Sequence, residues 1–460
     1  MHIPTSEWGS ILLDFHNYLC GRRLCYNSIK KIKRSMTIKE NNIYSTSRKI
    51  IKYIGLLLYI LIIMELWGCG YQNKSDISAA PEHGPFQTHE QSPEESHAES
   101  PEENHVQARE SSAGMTENNI DTIGDAEATN MREDLNQYSF VLTFAGDINF
   151  DEDWITMKHY NKAANGIYDC ISPELIQIMR DADIMCINNE FTYSTRGAPL
   201  NNKAYTFRAD PSRVDILNEL GVDIVSLANN HVYDYGEQSL IDTMATLKQA
   251  GILYYGAGHD LDEAMKPVYF EIQGKTIAYI AASRAEKYKM TPQATENKPG
   301  ILRCYDTELF IQSIKEAKEN SDYVIAYVHW GTEFSHELEN VQITTGKEYL
   351  DSGADIVIGA HPHCLQGIEF YNGKPIIYSL GNFWFNGQTV DTMLLNINFY
   401  GDVNDEFIEL KIVPAIQADN TTTIVTDQSE KERIYSFLED ISINAEINEA
   451  GIISQSQITE

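Results

Sequence analysis

The chain has 460 residues, of which 42% are hydrophobic, and its formal net charge at pH 7 is −32. This length and apolar share allow one large domain or two ordinary ones and exclude a chain that is disordered throughout. The acidic excess lies mainly after Tyr138, where 48 acidic residues face 22 basic ones. Such a surface repels nucleic acid and anionic lipid, so nucleic acid is excluded as a partner and an acidic substrate requires a local cation.

An export signal is predicted near the amino end. Three basic residues between positions 48 and 52 precede an apolar run, Tyr53 to Met64. About a dozen apolar residues are too few to span a bilayer but are typical of a signal-peptide core. The following LWGC resembles a bacterial lipoprotein cleavage box, which makes Cys69 a candidate for lipidation; the alternative is an uncleaved amino-terminal anchor. Both place the remainder on the outer side of the cytoplasmic membrane, because flanking basic residues stay inside.

Four regions are predicted along the chain. Residues 1–69 form a cytoplasmic start and the signal peptide or anchor, with either Met1 or Met36 as the true start. Residues 70–137 are rich in Glu, Ser, Pro and His, contain the imperfect repeat SPEESHAE and SPEENHVQ, and are predicted to be a disordered acidic tether. Residues 138–445 form the folded domain, and residues 446–460 form a tail.

Short apolar runs alternate with amphipathic stretches after Tyr138, which predicts an α/β or α/β-sandwich domain. In chain order, strands are predicted in SFVLTFAGDINF, DIMCINNEF, VDIVSLANNH, YFEIQGKTIAYIAAS (two strands), DYVIAYVHWGTE, GADIVIGAHPH, IEFYNGKPIIYSLGNFWF (a hairpin), TMLLNINF and FIELKIVPAIQ. Helices are predicted in SPELIQIMRDAD, PSRVDILNELG, GEQSLIDTMATLKQAG, 342–351 and 429–441. The Ser-Pro start of the first helix and the glycines closing the next two are typical helix boundaries.

Polar side chains stand at the ends of five predicted strands. They are Asp147, Glu190, Asn230, His231, His329, His361 and His363. Ligands of sheets with helical crossovers bind outside the carboxyl ends of the strands, so we expect these side chains to converge. Carboxylate and amide oxygens combined with imidazole nitrogens suit manganese, iron or zinc better than calcium. The pattern therefore predicts a site for one or two divalent metal ions.

At these residues the chain resembles the CapA-type bacterial capsule synthesis family, which acts in poly-γ-glutamate capsule formation and has a calcineurin-like metallophosphoesterase fold. The resemblance covers about residues 139–385 and is carried by FAGDI, NNEFT, SLANNHVYDYGEQSL, VHWGTEF, GADIVIGAHPHCLQGIE and IIYSLGNFWF. It implies an α/β four-layer sandwich, in which two mixed β-sheets are flanked by helices, with the site at the strand ends.

The resemblance also implies a role for each site residue. The implied metal ligands are Asp147, Glu190, Asn230, His329, His361 and His363. Glu190 stands where that superfamily has a bridging aspartate, and His361 and His363 would serve different ions. His231 would face the substrate as general acid or oxyanion stabiliser. The superfamily has a histidine two residues after its first aspartate, where this chain has Asn149, so one metal shell is expected to be weaker.

Two functions remain open at this point. The first is a surface-anchored, metal-dependent hydrolase acting on a phosphoester or an acidic polymer through metal-activated water. The second is a capsule assembly factor without catalysis, which holds an anionic polymer such as poly-γ-glutamate beside membrane-bound capsule synthase subunits. The family resemblance favours the capsule role, and it leaves enzymatic activity undecided.

Overall fold

The computed structural model describes residues 106–107, 137–285, 290–402 and 405–456. All of them belong to one unit, Glu99–Glu460. The predictions for residues 1–69, including Cys69 and the choice between Met1 and Met36, lie outside the described residues.

Two large sheets form the centre of the fold. Sheet I has the strand order β20-β21-β18-β17-β2-β3-β6-β7, with β16 added to β2 and β19 added to β18, and sheet II has the order β1-β9-β10-β12-β13-β15-β14. Two small pairs, β4-β5 and β8-β11, lie beside them. The strands are β1 Val106–Gln107, β2 Tyr138–Ile148, β3 Ile184–Asn189, β4 Thr192–Tyr193, β5 Arg208–Ala209, β6 Ile224–Ser226, β7 Leu253–Tyr255, β8 Ala257–Gly258, β9 Val268–Ile272, β10 Lys275–Ser283, β11 Gly300–Ile301, β12 Tyr323–His329, β13 Ile356–Ala360, β14 Leu365–Tyr371, β15 Lys374–Leu380, β16 Asn382–Trp384, β17 Val390–Gly401, β18 Glu406–Ala418, β19 Thr421–Ile424, β20 Ala445–Ile447 and β21 Ile452–Gln455.

Both sheets are mixed. β2, β3, β6 and β7 run parallel in sheet I, and β10, β12, β13 and β15 run parallel in sheet II. β17 joins β2 antiparallel, and β14 joins β15 as the antiparallel hairpin that the Asn-Gly pair predicts. Parallel strands with helices on one side and a second sheet on the other are buried on both faces, which explains their long apolar runs.

Most of the helices cover the outer faces of the two sheets. The described helices are α1 Ile155–Tyr160, α2 Pro173–Asp181, α3 Val214–Leu220, α4 Glu237–Ala250, α5 Leu261–Met265, α6 Glu308–Glu319, α7 Asn340–Asp351 and α8 Gln428–Asp440, with 3-10 turns at Gly166–Asp169 and Pro211–Arg213. Helices α2, α3 and α4 share a buried apolar cluster with sheet I, and α6 and α7 share one with sheet II. A third cluster fills the space between the sheets.

The fold is therefore an α/β four-layer sandwich of two mixed sheets flanked by helices, as predicted. The packing alternates along each strand: in β2, Leu142 and Phe144 enter the inter-sheet cluster, while Ala145 faces the helices. Successive strand side chains point to opposite faces, so a single register serves both layers. Helix α8 contributes to the core, because its Ile434 and Leu438 are fully buried in the inter-sheet cluster.

Three details concern the ends of the domain. β20 and β21 pair within sheet I, and Ile453 is buried, so part of the predicted tail 446–460 belongs to the sandwich. Val106–Gln107 lies within the predicted tether and pairs with β9; the other residues of that tether, apart from Gln137, lie outside the described part of the chain. Among the described residues, no helix has the length and apolar character needed to cross a bilayer.

Candidate metal centre

The carboxyl ends of the parallel strands from both sheets meet at one edge of the sandwich. Asp147 lies one residue before the end of β2 and pairs in register with Asn188 near the end of β3, and His329 ends β12 beside Ala360 at the end of β13. The seven predicted residues converge here, and each is at most 6% exposed: Asp147, Glu190, Asn230, His231, His329, His361 and His363.

Two donor groups share Glu190. The first group is Asp147, Glu190 and His363, and the second is Glu190, His329 and His361; in each group the candidate ligand atoms all lie within 4.8 Å of one another. Asn230 extends the second group, because its Oδ1 lies 2.7 Å from Nε2 of His329. The structure thus places His361 and His363 in different groups on either side of one carboxylate.

The Oε1 atom of Glu190 shows that these residues fit a cation. It is buried and has no hydrogen-bond partner among the described residues. Three imidazole nitrogens surround it: Nε2 of His329 at 3.6 Å, and Nε2 of His231 and of His363 at 3.9 Å each. These separations are too long for hydrogen bonds. A divalent ion bonded to oxygen and nitrogen at about 2.0–2.2 Å spans them.

Burial sets the protonation preferences of the two donor groups. Burial raises the pKa of Glu190 well above its ordinary value, and the charge of Asp147 raises it further. Burial lowers the pKa values of His329 and His361, so both imidazoles favour the neutral form that binds metals. Burial also opposes protonation of His363, but its hydrogen bond to Asp147 and the charge of Asp147 outweigh this and raise its pKa.

The carboxylates are positioned by two asparagines that were not predicted from the sequence. Asn188 contacts the carboxylates directly, and Asn229 contacts Asn188. Nδ2 of Asn188 donates to Oδ1 of Asp147 at 2.7 Å and to Oε2 of Glu190 at 3.2 Å. Nδ2 of Asn229 in turn donates to Oδ1 of Asn188 at 3.0 Å. Asn188 lies two residues before Glu190, and the period of two in an extended chain is the signal that could have found it.

His231 is oriented by a second set of residues. Its Nδ1 lies 2.7 Å from Oδ2 of Asp234, which also accepts the backbone N–H of Phe207 at 2.7 Å. Because a carboxylate oxygen accepts, Nδ1 carries the proton and Nε2 points towards Glu190. Lys203, only 4% exposed at its side chain, pairs with Oδ1 of Asp234 at 2.7 Å. Asp234 lies three residues from His231, whereas no sequence signal connects Lys203 with either residue.

The backbone at the end of β13 is unusual. His361 and His363 have φ values of 99° and 57°, in the left-handed region that residues other than glycine rarely adopt. Such conformations cluster at functional sites, where the surrounding structure holds them. Gly359 permits the close approach of the neighbouring strand, because a Cβ atom there would lie 2.0 Å from the carbonyl oxygen of Tyr378.

Asn149, the departure from the superfamily pattern, has a structural role here. Its Oδ1 accepts the backbone N–H of Asp151 at 2.8 Å and so caps the loop that follows β2. In the first donor group, Oδ1 of Asn382 lies 2.8 Å from Nδ1 of His363 and holds this imidazole in place. The first group therefore has one nitrogen donor, while the second has two together with the Asn230 amide.

Comparisons with known proteins identify the family. The sequence model described as bacterial capsule synthesis protein PGA_cap matches residues 141–387, more than half of the chain. The PGA biosynthesis protein CapA of Bacillus subtilis (strain 168) is 33% identical over 247 residues, which are 53% of this chain and 63% of that protein. The capsule biosynthesis protein CapA of Bacillus anthracis is 32% identical over 237 residues, 50% of this chain and 56% of that protein.

The match spans less than two thirds of either CapA protein. Among solved structures, a phosphatase of Mycoplasma pneumoniae is 14% identical with a TM-score of 0.38, covering 62% of this chain and 95% of that one. A TM-score at this level supports no conclusion about fold or function. The residues that match the family model, 141–387, include all seven site residues described above. The chain belongs to the bacterial capsule synthesis protein family.

Proposed function

We propose that this chain acts at the cell surface in the assembly or export of poly-γ-glutamate or a related anionic polymer, and that the strand-end site is a metal centre serving that role. The family match and the printed names of the two CapA relatives support the capsule role. The observation that carries the metal centre is the buried Oε1 of Glu190 with three imidazole nitrogens at 3.6–3.9 Å.

Each site residue has a proposed role. Asp147, Glu190 and His363 would hold one ion, and Glu190, Asn230, His329 and His361 would hold the other. Bound manganese, iron or zinc would supply positive charge and Lewis acidity in an otherwise acidic domain. Asn188 donates to both carboxylates and so fixes their orientation at the site.

A second candidate function is hydrolysis of a phosphoester or of the polymer itself. The observation that favours it is the orientation of His231: Asp234 fixes the proton on Nδ1, and Nε2 faces the donor groups 3.9 Å from Oε1 of Glu190. An imidazole held in this way can donate a proton from Nε2 to a leaving group when it is charged, and it can accept one when it is neutral. In this function His231 is the catalytic residue.

The remainder of the chain suits a surface location. We propose that residues 1–69 export and anchor the protein through lipidated Cys69 or an uncleaved segment, that residues 70–137 act as a tether, and that the sandwich stands outside the cytoplasmic membrane. Globomycin, an inhibitor of lipoprotein processing, distinguishes the two anchors: accumulation of a longer precursor supports lipidation, and no change supports the uncleaved anchor.

The deciding experiment begins with metal stoichiometry of the full chain in detergent, reconstituted with manganese, iron or zinc and measured by mass spectrometry. About two ions per chain is the expected result, and absence of bound ions overturns the metal centre. Binding of poly-γ-glutamate is then measured with metal and after chelation. Metal-dependent binding supports the capsule role, and no binding with metal present contradicts it.

The same preparation tests hydrolysis. Turnover of bis(p-nitrophenyl) phosphate, or shortening of poly-γ-glutamate, that is lost in His231→Ala with ions retained supports the hydrolase. Asp169→Ala, an exposed carboxylate outside the centre, is the matched control and is expected to keep wild-type activity. Unchanged turnover in His231→Ala rejects the catalytic role of this residue.

A further inference from the structure

Two exposed aromatic side chains flank the metal centre. Tyr205 is 61% exposed and Phe334 is 59% exposed, whereas most large apolar side chains of the described residues are buried. Tyr205 lies in the loop between β4 and β5, and Phe334 lies in the loop between β12 and α7. Each is linked by ring contacts to a histidine of the site.

On one side, the ring contacts run from Tyr205 to His231. The Tyr205 ring lies nearly parallel to that of Phe207, with centroids 6.5 Å apart and an interplanar angle of 17°. Phe207, which is buried, lies 4.5 Å from the His231 ring. Trp154 meets Tyr205 and Phe207 edge-on at 5.9 and 5.1 Å, and its Nε1 donates to the carbonyl oxygen of Phe385 at 2.8 Å.

On the other side, the contacts run to His363. Its ring lies 4.6 Å from that of Phe385 and 5.8 Å from that of Phe334. Phe385 and Phe207 meet edge-on at 5.5 Å, which connects the two sides. A series of rings therefore joins the two exposed side chains past His231 and His363.

The backbone of Phe334 indicates that the exposed position of this ring is imposed. Its φ is 60°, a left-handed conformation that is a real outlier for a bulky residue, and its N–H donates to the carbonyl oxygen of Pro362 at 2.7 Å. Strain of this kind persists where the surrounding structure enforces it, and it clusters at ligand-binding sites. Burial does not account for it, since the ring is mostly exposed.

The acidic charge at this edge of the sandwich limits how an anionic polymer can bind there. The domain is acidic, and Glu333, next to Phe334, is exposed and close enough to contribute to the raised pKa of Glu190. These charges repel a polymer with many carboxylates, whereas a bound cation would attract one of its carboxylates. Apolar contact is an attraction that the rest of the polymer can still make against the net acidic field. Each γ-linked glutamate unit has two backbone methylene groups that can lie against an aromatic ring.

We propose that Tyr205 and Phe334 form an aromatic rim that binds the methylene segments of an anionic polymer such as poly-γ-glutamate, while one carboxylate of that polymer reaches the metal centre. The rim selects an extended chain over a small anion. This proposal rests on the proposed function, because it takes the polymer and the metal centre as given.

The test measures binding of a fluorescent poly-γ-glutamate decamer to the manganese-loaded full chain. Burying one methylene corresponds to about a fourfold change in affinity, so Tyr205→Ala and Phe334→Asn are each expected to weaken binding about fourfold or more. Asparagine tolerates the left-handed backbone, so Phe334→Asn removes the ring without adding strain. Phe334→Tyr keeps a ring and is expected to restore wild-type affinity.

Phe407→Ala is the matched control. Phe407 is also 61% exposed, but it is the second residue of β18 and pairs with Tyr400. It lies near Tyr138, at the start of β2, whereas Asp147 lies near the end of that strand. It is expected to bind the decamer like wild type. All variants are expected to keep the wild-type number of ions and wild-type affinity for inorganic phosphate, which is too small to reach the rim.

The outcomes separate the two proposals. Metal-dependent decamer binding that is unaffected by both rim variants overturns the rim and leaves the proposed function standing. Loss of phosphate affinity or of ions in the rim variants also overturns the rim, since it assigns the rings to support of the centre. Failure of the loaded wild-type chain to bind the decamer rejects the capsule function and the rim with it.

Discussion

The two donor groups around Glu190 are built differently. The second group has two imidazoles, from the ends of β12 and β13 in sheet II, and the Asn230 amide, with His361 Nδ1 3.1 Å from His329 Nε2. The first group has Asp147 from β2 in sheet I and His363 from the loop after β13, besides the shared carboxylate. The side chain of Asn149, two residues after Asp147, accepts a hydrogen bond from a backbone N–H of the next loop.

The difference predicts that the two donor groups bind a transition metal with unequal affinity. Imidazole nitrogens suit zinc, whereas carboxylate oxygens suit harder ions such as manganese or magnesium. We therefore expect two binding steps for zinc: a tight step at the second group and a weaker, exchangeable step at the first.

Replacing Glu190 removes the donor that both groups share. Glu190→Gln is expected to weaken both steps by more than about 100-fold, beyond the range seen for outer-shell changes, because the Glu190 carboxylate belongs to both donor groups. Isothermal titration of the metal-free chain measures this. Removing a buried acid next to Asp147 is also expected to raise the melting temperature of the metal-free chain.

Glu369→Gln is the matched control, since Glu369 is a carboxylate only 2% exposed that pairs with Lys347 away from the site. It is expected to lower the melting temperature and leave both binding steps intact. Two intact binding steps in Glu190→Gln would contradict the shared role.

The strand-end residues and most elements could be predicted because their signals are local. Apolar runs mark β2, β12 and β13, and Gly221 and Gly251 end α3 and α4 with left-handed φ values of 75° and 78°. The carboxyl-edge rule then brings distant polar residues together without any knowledge of their contacts.

The residues that were missed depend on tertiary contacts. Lys203 reaches Asp234 across 31 positions of the chain, and Asn382 reaches His363 from β16; neither has a sequence pattern that names its partner. The two short strands near the carboxyl end were not predicted for another reason. β20 and β21 have three and four residues, too few for an alternating pattern to be read.

Removing one histidine from each group separates the two ions. His361→Ala is expected to abolish the tight step and His363→Ala the weak step, so each variant retains about one ion per chain. Mass spectrometry of the reconstituted chains counts the ions, and titration shows which step persists. Loss of both ions from either variant would show that the two groups bind their ions cooperatively as one site, and it would contradict the expected difference between them.

Asn382 is expected to matter for one ion only. Its Oδ1 holds Nδ1 of His363, and outer-shell partners of this kind commonly contribute 10–100-fold to metal affinity. Asn382→Ala should weaken the weak step by about that factor and leave the tight step unchanged in the same titration. An equal effect on both steps would assign Asn382 to the packing of the whole edge.

The smallest change is the most direct test of why the groups differ. Asn149 lies two residues after Asp147, one residue beyond the end of β2, at the position where the superfamily pattern has a histidine. Asn149→His is therefore expected to add an imidazole to the first group and tighten the weak step about tenfold, bringing it closer to the tight one. Titration of both steps in one experiment gives the ratio directly.

Asn149→Ala tests whether the Asn149 amide is already a metal ligand. If Asn149 is a loop cap and not a ligand, its removal leaves the Asp151 N–H without its acceptor and costs about 1–3 kcal/mol in the free energy of unfolding, with both metal affinities unchanged. A weaker first-group step in Asn149→Ala would mean that the amide already binds the ion. The inequality of the two groups would then have to arise from Asp147 and His363 themselves, because the missing imidazole would no longer distinguish them.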